Sequence, residues 1–427
     1  MKSNVDILVL GAGIAGLGAA HKAKSIGRNA VVYEANASAG GLLDNFEVQG
    51  FRFDNAVHLS FAKEEKVREI FDKTPYFTHP ADSLNFEEDK WLKHPVQNNL
   101  FPLAVDDKID LIKSFLNRGD ELQGNDYESW LRHQYGNAIS ERFPLRYTKK
   151  YWQTEAKNLS TTWIGNRMRR AKIDEILEGT LTNETPNTYY TKEMRYPKNG
   201  GYKAFIQPLI DEANIQYGKV AVKIDLSKKT VLFNDGSETS YQTLVNTLPL
   251  PYIASICDTH DAVTKAAEEL ECTSIDLISV GFSENIIKDL WFYIYDEDIL
   301  ASRAYSPSIK SPNNVPEGCS SLQFEIYNPS RTSQHTVEVL KENVSYALNK
   351  MKISDGSNIL FLHHKHLKWG NVVFKHHMEA NRQIVYDFLK ENDVLTCGRF
   401  GLWDYLWSNQ AFMSGYELDF GSARLDT

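Results

Sequence analysis

The stretch Gly11-Ala12-Gly13-Ile14-Ala15-Gly16 constrains this chain more than any other. It follows a continuous apolar run at residues 7–10 and opens a helical pattern at 14–26; a second buried strand is expected at 30–33, closed by Glu34 eighteen residues after Gly16. Each part of this βαβ unit has a mechanical reason. Gly11 makes the turn, Gly13 lets a pyrophosphate approach backbone N–H groups at the helix N-terminus, and Gly16 packs helix on strand. Glu34 is placed to accept from ribose hydroxyls. The unit predicts a parallel sheet and a bound dinucleotide.

With 427 residues the chain is long enough for two or three domains. Its net charge of −9 excludes the global basic field of a nucleic-acid binder, so an anionic ligand must be met by a local cluster. Cys257, Cys272, Cys319 and Cys397 show no CxxC spacing, which predicts reduced thiols in a cytoplasmic protein rather than a zinc site or a disulfide framework. The start of the chain runs straight into a strand without a signal-like segment, and no stretch approaches the roughly 20 apolar residues of a membrane span, so no membrane insertion is expected. The clusters His363-His364-Lys365-His366 and His376-His377 lack HExxH or Cys/His spacing, and no metal site is assigned.

Further along, residues 108–182 carry long polar–apolar helical stretches rich in Tyr and Trp, the pattern of an inserted helical lobe. Residues 220–224 and 230–233 around Asn234-Asp235-Gly236 read as a hairpin, and 244–247 as another buried strand. Alternation from 274 to 327 predicts a second, antiparallel sheet, and amphipathic helices are expected at 337–351 and 379–390.

Ala39-Gly40-Gly41-Leu42 offers a second backbone surface bare of side chains. Following Glu34, it resembles the glutathione-reductase-like flavoproteins of the amine-oxidase group, in which an acid and then a Gly-Gly doublet cradle FAD. In that resemblance the backbone near Val220 meets the adenine, although an ordinary hairpin explains that segment equally well. The implied fold is α/β: a glutathione-reductase-like Rossmann FAD domain with an inserted helical lobe and an antiparallel substrate-side sheet. The FAD-binding domain would take residues 1–90, the helical substrate lobe 91–185, returning FAD-domain strands 186–260, the substrate-side sheet 261–375, and a C-terminal FAD-binding segment 376–427.

Five further segments occur in the order found in UDP-galactopyranose mutases of the eukaryotic type. They are Phe51 to His58; Trp91 to Leu100, with its Pro95-Val96-Gln97-Asn98-Asn99 run; Arg146 to Trp152 with Trp163 to Arg167; Arg195 to Gly201; and Gly398 to Tyr405 with Asn409-Gln410. The first and fourth also occur, more loosely, in protoporphyrinogen-oxidase-like flavoproteins. The resemblance implies that the His58 carbonyl lies beside the flavin ring, that Gln97, Trp152 and Arg167 line a sugar-nucleotide cleft, and that Tyr405 reaches a diphosphate. Arg399, Asn409 and Gln410 would hold FAD, and Tyr293 joins the substrate-binding set.

The departures are informative. His94 and Val96 stand where the family stacks uracil between a tyrosine and a phenylalanine, Thr148 and Thr191 stand where it has asparagines, and the diphosphate arginine aligns nearer Ala301, with Arg303 two residues on and therefore on the same strand face. As a catalytic set the resemblance names His58, Arg167, Arg303 and Tyr405. It implies a non-redox interconversion of the pyranose and furanose forms of a nucleotide-diphosphate sugar through a sugar adduct on flavin N5, as in cell-surface polysaccharide synthesis. The active cofactor would be reduced FAD, with NAD(P)H the candidate reductant. The alternatives are a redox flavoenzyme of the amine-oxidase or protoporphyrinogen-oxidase type and a non-catalytic binding protein like the Rab GDP-dissociation inhibitors. Sugar, nucleobase and oligomeric state stay open.

Overall fold

A computed structural model describes residues 2–165, 172–186 and 193–421. The strand Lys2–Leu10 sits at the centre of a seven-stranded sheet, parallel to Ala30–Tyr33 on one side and to Glu238–Asn246 on the other. Ile7, Leu8 and Val9 are wholly buried, as expected for a parallel strand covered on both faces. It begins earlier than the apolar run indicates, because residues 2–5, mostly polar, pair with residues 238–241 at the start of Glu238–Asn246. The helix Ile14–Ser25 follows, and the hairpin Ala221–Asp225 with Thr230–Phe233 adds antiparallel strands to the same sheet. The short strand Val394–Thr396 lies parallel to Glu238–Asn246, and Cys397 N donates to Asn246 O at 3.0 Å. This pairing returns residues 398–400 from the far end of the chain to the carboxyl ends of the parallel strands, where open α/β sheets bind ligands.

The second sheet also has seven strands, in the order Ile359–Leu367, Ser274–Phe282, Ser320–Asn328, Arg303–Tyr305, Trp291–Ile294, Leu84–Glu87 and Lys90–Lys93. Every neighbouring pair is antiparallel except Trp291–Ile294 with Leu84–Glu87. The sheet therefore takes a hairpin from residues 84–93, ahead of the helical lobe. Every residue of Ser274–Phe282 and Ser320–Asn328 is buried. One face packs Ile278, Val280, Leu322 and Phe324 against Leu340, Val344 and Leu348 of the helix Val337–Lys350. The other carries the polar side chains considered below.

The lobe consists of the helices Val105–Leu116, Tyr127–Arg142, Pro144–Trp152 and Ile173–Leu181. Tyr127–Arg142 is broken at Gly136, whose φ of 75° excludes most side chains; a Cβ there would lie 2.4 Å from Ser114 O, so the break lets two helices meet backbone to backbone. Among the described residues no helix is long and apolar enough to cross a membrane.

Candidate functional site

The glycine cradle forms where the first strand passes into the first helix. Gly13 is extended (φ −72°, ψ 172°), the helix start has neither a side-chain cap nor an acidic residue in its first turn, and no heavy atom lies within 4 Å of where a Gly13 Cβ would be. Orphan N–H groups at a helix N-terminus therefore face open space, the arrangement that accepts an anion. Gly16 is the opposite case: its Cβ would sit 2.0 Å from Gly11 O. Gly40 N donates to Ala12 O at 2.9 Å, which brings the Gly40–Gly41 doublet alongside, and a Cβ on Gly41 would lie 3.3 Å from Gly13 Cα. Glu34 is buried and already engaged: Oε2 accepts from Ala12 N (2.8 Å), and Oε1 from Asn36 N (2.9 Å) and Nδ2 (2.8 Å). A carboxylate offers about four acceptor positions, so roughly one is left for a ligand hydroxyl.

From this cradle a cavity of about 1620 Å³ runs between the two sheets and into the helical lobe. A typical small-molecule site is about 300–1,000 Å³, so the space suits two ligands, or one of dinucleotide size with a second beside it. At its middle lies the loop Asn55 to His58. His58 Nε2 faces two carbonyls, Leu42 O (2.9 Å) and Asn55 O (3.0 Å), so it carries the proton and donates to them. Burial, partly opposed by Asp54, lowers the imidazole pKa, and the ring is a neutral tether between this loop and the glycine doublet. Ala56 is held at φ 71°, a strained conformation for a residue with a Cβ. What holds it lies behind: Asp54 accepts from Lys310 Nζ (3.1 Å), Tyr196 OH (2.8 Å) and Tyr202 N (3.0 Å) in the fully buried core.

The far chamber is walled by aromatic residues and crossed by one polar chain. Glu325, fully buried, accepts from Val57 N (2.8 Å), Arg303 Nε (2.6 Å) and Tyr327 OH (2.7 Å). Burial opposes the Arg303 charge, but Glu325 and the surrounding tyrosines hold its pKa well above the ordinary value, so the guanidinium stays charged. It sits 5.4 Å over the Tyr151 ring, whose hydroxyl meets Tyr405 OH at 2.9 Å; Arg399 in turn lies 4.6 Å over Tyr405 and donates to Asn371 Oδ1 at 2.8 Å. Among the described residues, buried Asn55 Oδ1, Tyr147 OH, Asn371 Nδ2 and Arg399 Nε have no hydrogen-bond partner, and all four belong to residues lining the cavity. Unpaired buried polar atoms are costly in a closed core, and here a polar ligand would satisfy them.

Of the residues picked out from sequence, Gly11, Gly13, Glu34, Gly40, Gly41, His58, His94, Gln97, Thr148, Trp152, Tyr293, Arg303, Arg399 and Tyr405 all line this one cavity. His94 stacks on Tyr293 (centroids 4.6 Å apart), and burial pushes its pKa down to about 3; its Nδ1 meets Asn85 Oδ1 at 3.2 Å. Thr148 spends its hydroxyl on Pro144 O at 2.7 Å within its own helix. Five residues lie off the wall. Gly16 is in the helix–strand contact, and Val96 is wholly buried in the main core. Val220 pairs its backbone with Asn234 in the hairpin turn. Asn409 donates to Glu64 at 2.8 Å, and Gln410 accepts from Trp407 N at 3.0 Å, completing a helix cap. Arg167 and Thr191 lie outside the described residues. In the histidine run, His364 and His366 both turn to the buried Asp276 (2.7 and 2.9 Å), and no group of three possible metal ligands occurs among the described residues.

Sequence reasoning missed Glu325, Tyr327, Tyr147, Tyr151 and Asn371. One signal was available: Ser321, Gln323, Glu325 and Tyr327 alternate at period two with the apolar Leu322, Phe324 and Ile326, which marks a polar face on a buried strand.

An NAD(P)-binding Rossmann-like domain family matches residues 9–74. The mitochondrial protoporphyrinogen oxidase of Nicotiana tabacum is 32% identical over 118 residues, which are 27% of this chain and 23% of that protein, so the match spans about a quarter of the relative's length. Among solved structures, a reduced UDP-galactopyranose mutase superimposes with a TM-score of 0.91 at 22% identity, covering 96% of this chain and 94% of the mutase. A protein provisionally described as a protoporphyrinogen oxidase from Exiguobacterium sp. 255-15 gives 0.75 at 16% identity (97% and 98% covered), and a putrescine oxidase with bound putrescine gives 0.65 at 11% (97% and 98%). The fold is that of these proteins: mixed α/β, with a Rossmann-like dinucleotide domain and a second sheet.

Proposed function

We propose that this protein is an FAD-dependent isomerase that interconverts the pyranose and furanose forms of a nucleotide-diphosphate sugar. The observation that carries the reading is the single cavity joining an open glycine cradle to a chamber lined by tyrosine hydroxyls, with Arg303 and Arg399 among them. The cradle suits FAD: an uncapped helix N-terminus and the bare Gly13 surface for the pyrophosphate, Glu34 for a ribose hydroxyl, and the unpaired Arg399 Nε and Asn371 Nδ2 as further donors. Reduced FAD would supply a nucleophilic nitrogen, giving covalent catalysis without net oxidation.

The chain's own residues bind, orient and exclude water. His58 and the Asp54–Lys310 core fix the Asn55 to His58 loop, and so hold the His58 carbonyl at the junction of cradle and chamber. Glu325 holds Val57 N–H and Arg303 together, keeping the guanidinium in place for a diphosphate. Tyr147, Tyr151 and Tyr405 offer hydroxyls to the diphosphate and sugar, and Trp152 with Trp163 (centroids 5.0 Å apart) closes the lobe side. In this aromatic chamber the charged Arg303 and the tyrosine hydroxyls suit a polyhydroxylated, phosphorylated molecule, which favours the mutase reading over an oxidase acting on an apolar substrate. The higher TM-score with the mutase, 0.91 against 0.75 and 0.65 for the two oxidases, supports the same choice.

The test is to incubate dithionite-reduced protein with UDP-galactopyranose and UDP-galactofuranose and to separate the products chromatographically. The expected result is interconversion that consumes no reductant per turnover and is absent in oxidised protein. Oxygen or NADPH consumption in proportion to product would establish the oxidoreductase alternative instead.

A further inference from the structure

Outside the large cavity, a smaller one of about 180 Å³ opens where two strands of the second sheet begin. Leu84–Glu87 and Trp291–Ile294 run parallel, with Leu84 beside Phe292 and Asn85 beside Tyr293, so the segments leading into them start from the same edge of the sheet. Those segments place Asp82 and Asp289 in the wall of the small cavity, together with His79, Ser83 and Lys288. Both carboxylates are exposed, and among the described residues neither enters an ion pair or a hydrogen bond. Partial burial and the charge of Asp82 raise the Asp289 pKa, with Lys288 opposing, so the two acids are near enough to repel. Two neighbouring acids alone are an ordinary surface. What marks this one is Ser83, which is 4% exposed and lines the cavity with a buried hydroxyl that has no hydrogen-bond partner. His79 adds a further acceptor: its Nε2 donates to Lys310 O at 2.9 Å and burial lowers its pKa, so the ring is neutral and Nδ1 carries a lone pair.

We propose that this small cavity binds a hard divalent cation of the Mg²⁺ type, held between Asp82 and Asp289, with the Ser83 hydroxyl and water completing its shell. The donors are chiefly oxygens, which hard cations require. Among the described residues no three His, Cys, Asp or Glu side chains converge as metal ligands, so the ion keeps several of its waters, as Mg²⁺ does. The space agrees: about 180 Å³, at roughly 30 Å³ per water, is the volume of about six waters, the number in an octahedral shell. The consequence of binding follows from the strands. Asn85 and Tyr293, neighbours across the parallel pair, both hold His94, one through Oδ1 at 3.2 Å and the other by stacking at 4.6 Å, and Ser83 O accepts from His94 N at 3.0 Å. A cation that neutralises Asp82 and Asp289 ties the two strand starts together and steadies the His94 wall of the large cavity from behind.

The experiment is a titration of the EDTA-treated and desalted protein with Mn²⁺, a spectroscopic stand-in for Mg²⁺, read by loss of the free-ion EPR signal. The expected result is one Mn²⁺ per chain with a Kd of about 0.1–1 mM, as befits a site with few charged ligands, and displacement by Mg²⁺. Asp82→Asn and Asp289→Asn should each weaken binding by about tenfold or more, and Ser83→Ala by about two- to fivefold. Thermal unfolding separates lost binding from lost fold: in EDTA the Asn variants, relieved of repulsion, should melt at or above the wild-type temperature, and added Mg²⁺ should raise the wild-type melt but not that of the double Asn variant. No saturable Mn²⁺ binding up to about 5 mM, or binding that persists in the double Asn variant, overturns the site. Displacement of Mn²⁺ by spermidine but not by Mg²⁺ overturns the metal in favour of an organic cation. An Asp289→Asn protein that melts below wild type in EDTA would mean that a protein group already satisfies the acid, and overturns the site equally.

Discussion

Replacing Gly13 by valine separates the structural from the ligand-binding role of the glycine-rich turn. At φ −72° and ψ 172° the backbone suits any L-residue, and a Cβ meets nothing within 4 Å, so the protein itself loses little; surface-like substitutions of this kind stay within about 0.5 kcal/mol. The isopropyl group would instead stand in the space the proposed pyrophosphate needs, blocking one or two N–H donors. Hydrogen bonds to a charged group are worth about 1.5–3 kcal/mol each, so FAD affinity should fall by a factor between about 10 and more than 10,000. The assay is titration of apoprotein with FAD, followed by flavin fluorescence quenching, with thermal unfolding measured in parallel. Gly16→Val provides the contrast: its Cβ would lie 2.0 Å from Gly11 O, so it should fail in the melting experiment before any question of ligand arises. If Gly13→Val melts like the parent and binds FAD within about twofold of it, the pyrophosphate does not lie on this helix N-terminus.

Three further outcomes follow from buried groups. Lys310→Met leaves the Asp54 carboxylate alone in a core where both partners are fully buried, and should cost about 3–5 kcal/mol in urea unfolding; a loss below about 1 kcal/mol would mean that water reaches the pair. Tyr147→Phe removes a buried hydroxyl with no partner in the protein, so stability should hold or rise while UDP affinity drops about two- to tenfold; unchanged affinity would show that the hydroxyl does not touch ligand. Lys150 is buried on Ile294 O (2.9 Å) and Asp296 O (2.8 Å), and burial lowers its pKa from 10.5 to about 7. Between those values the unfolded chain binds the proton and the folded one does not. Stability should therefore rise with pH from about 7 to 10, by up to about 1.4 kcal/mol per unit, and a pH series of melts on Lys150→Met should lack this contribution.

Local periodicity and backbone demands were legible in the linear chain. The strand, glycine turn and helix at residues 7–26 could be placed because a parallel strand, a tight turn and a helix each impose a short-range signature: an apolar run, bare backbone, a 3.6-residue pattern. The hairpin Thr230–Phe233 and the long helices near 337 and 379 were readable for the same reason. The glycine motif and the resemblance together named fourteen residues that one cavity gathers, across separations no local rule spans. What remained for the tertiary structure was everything set by competition among neighbours. Whether Asn409, Gln410 or Thr148 offers its polar group to a ligand depends on whether Glu64, Trp407 N or Pro144 O has already taken it. The place of Glu325 depends on a strand pairing that sets it opposite Arg303 and beneath Val57, residues 22 and 268 positions away along the chain. A side chain's type is written in the sequence, but its free valence is decided only when the fold has satisfied every nearer partner.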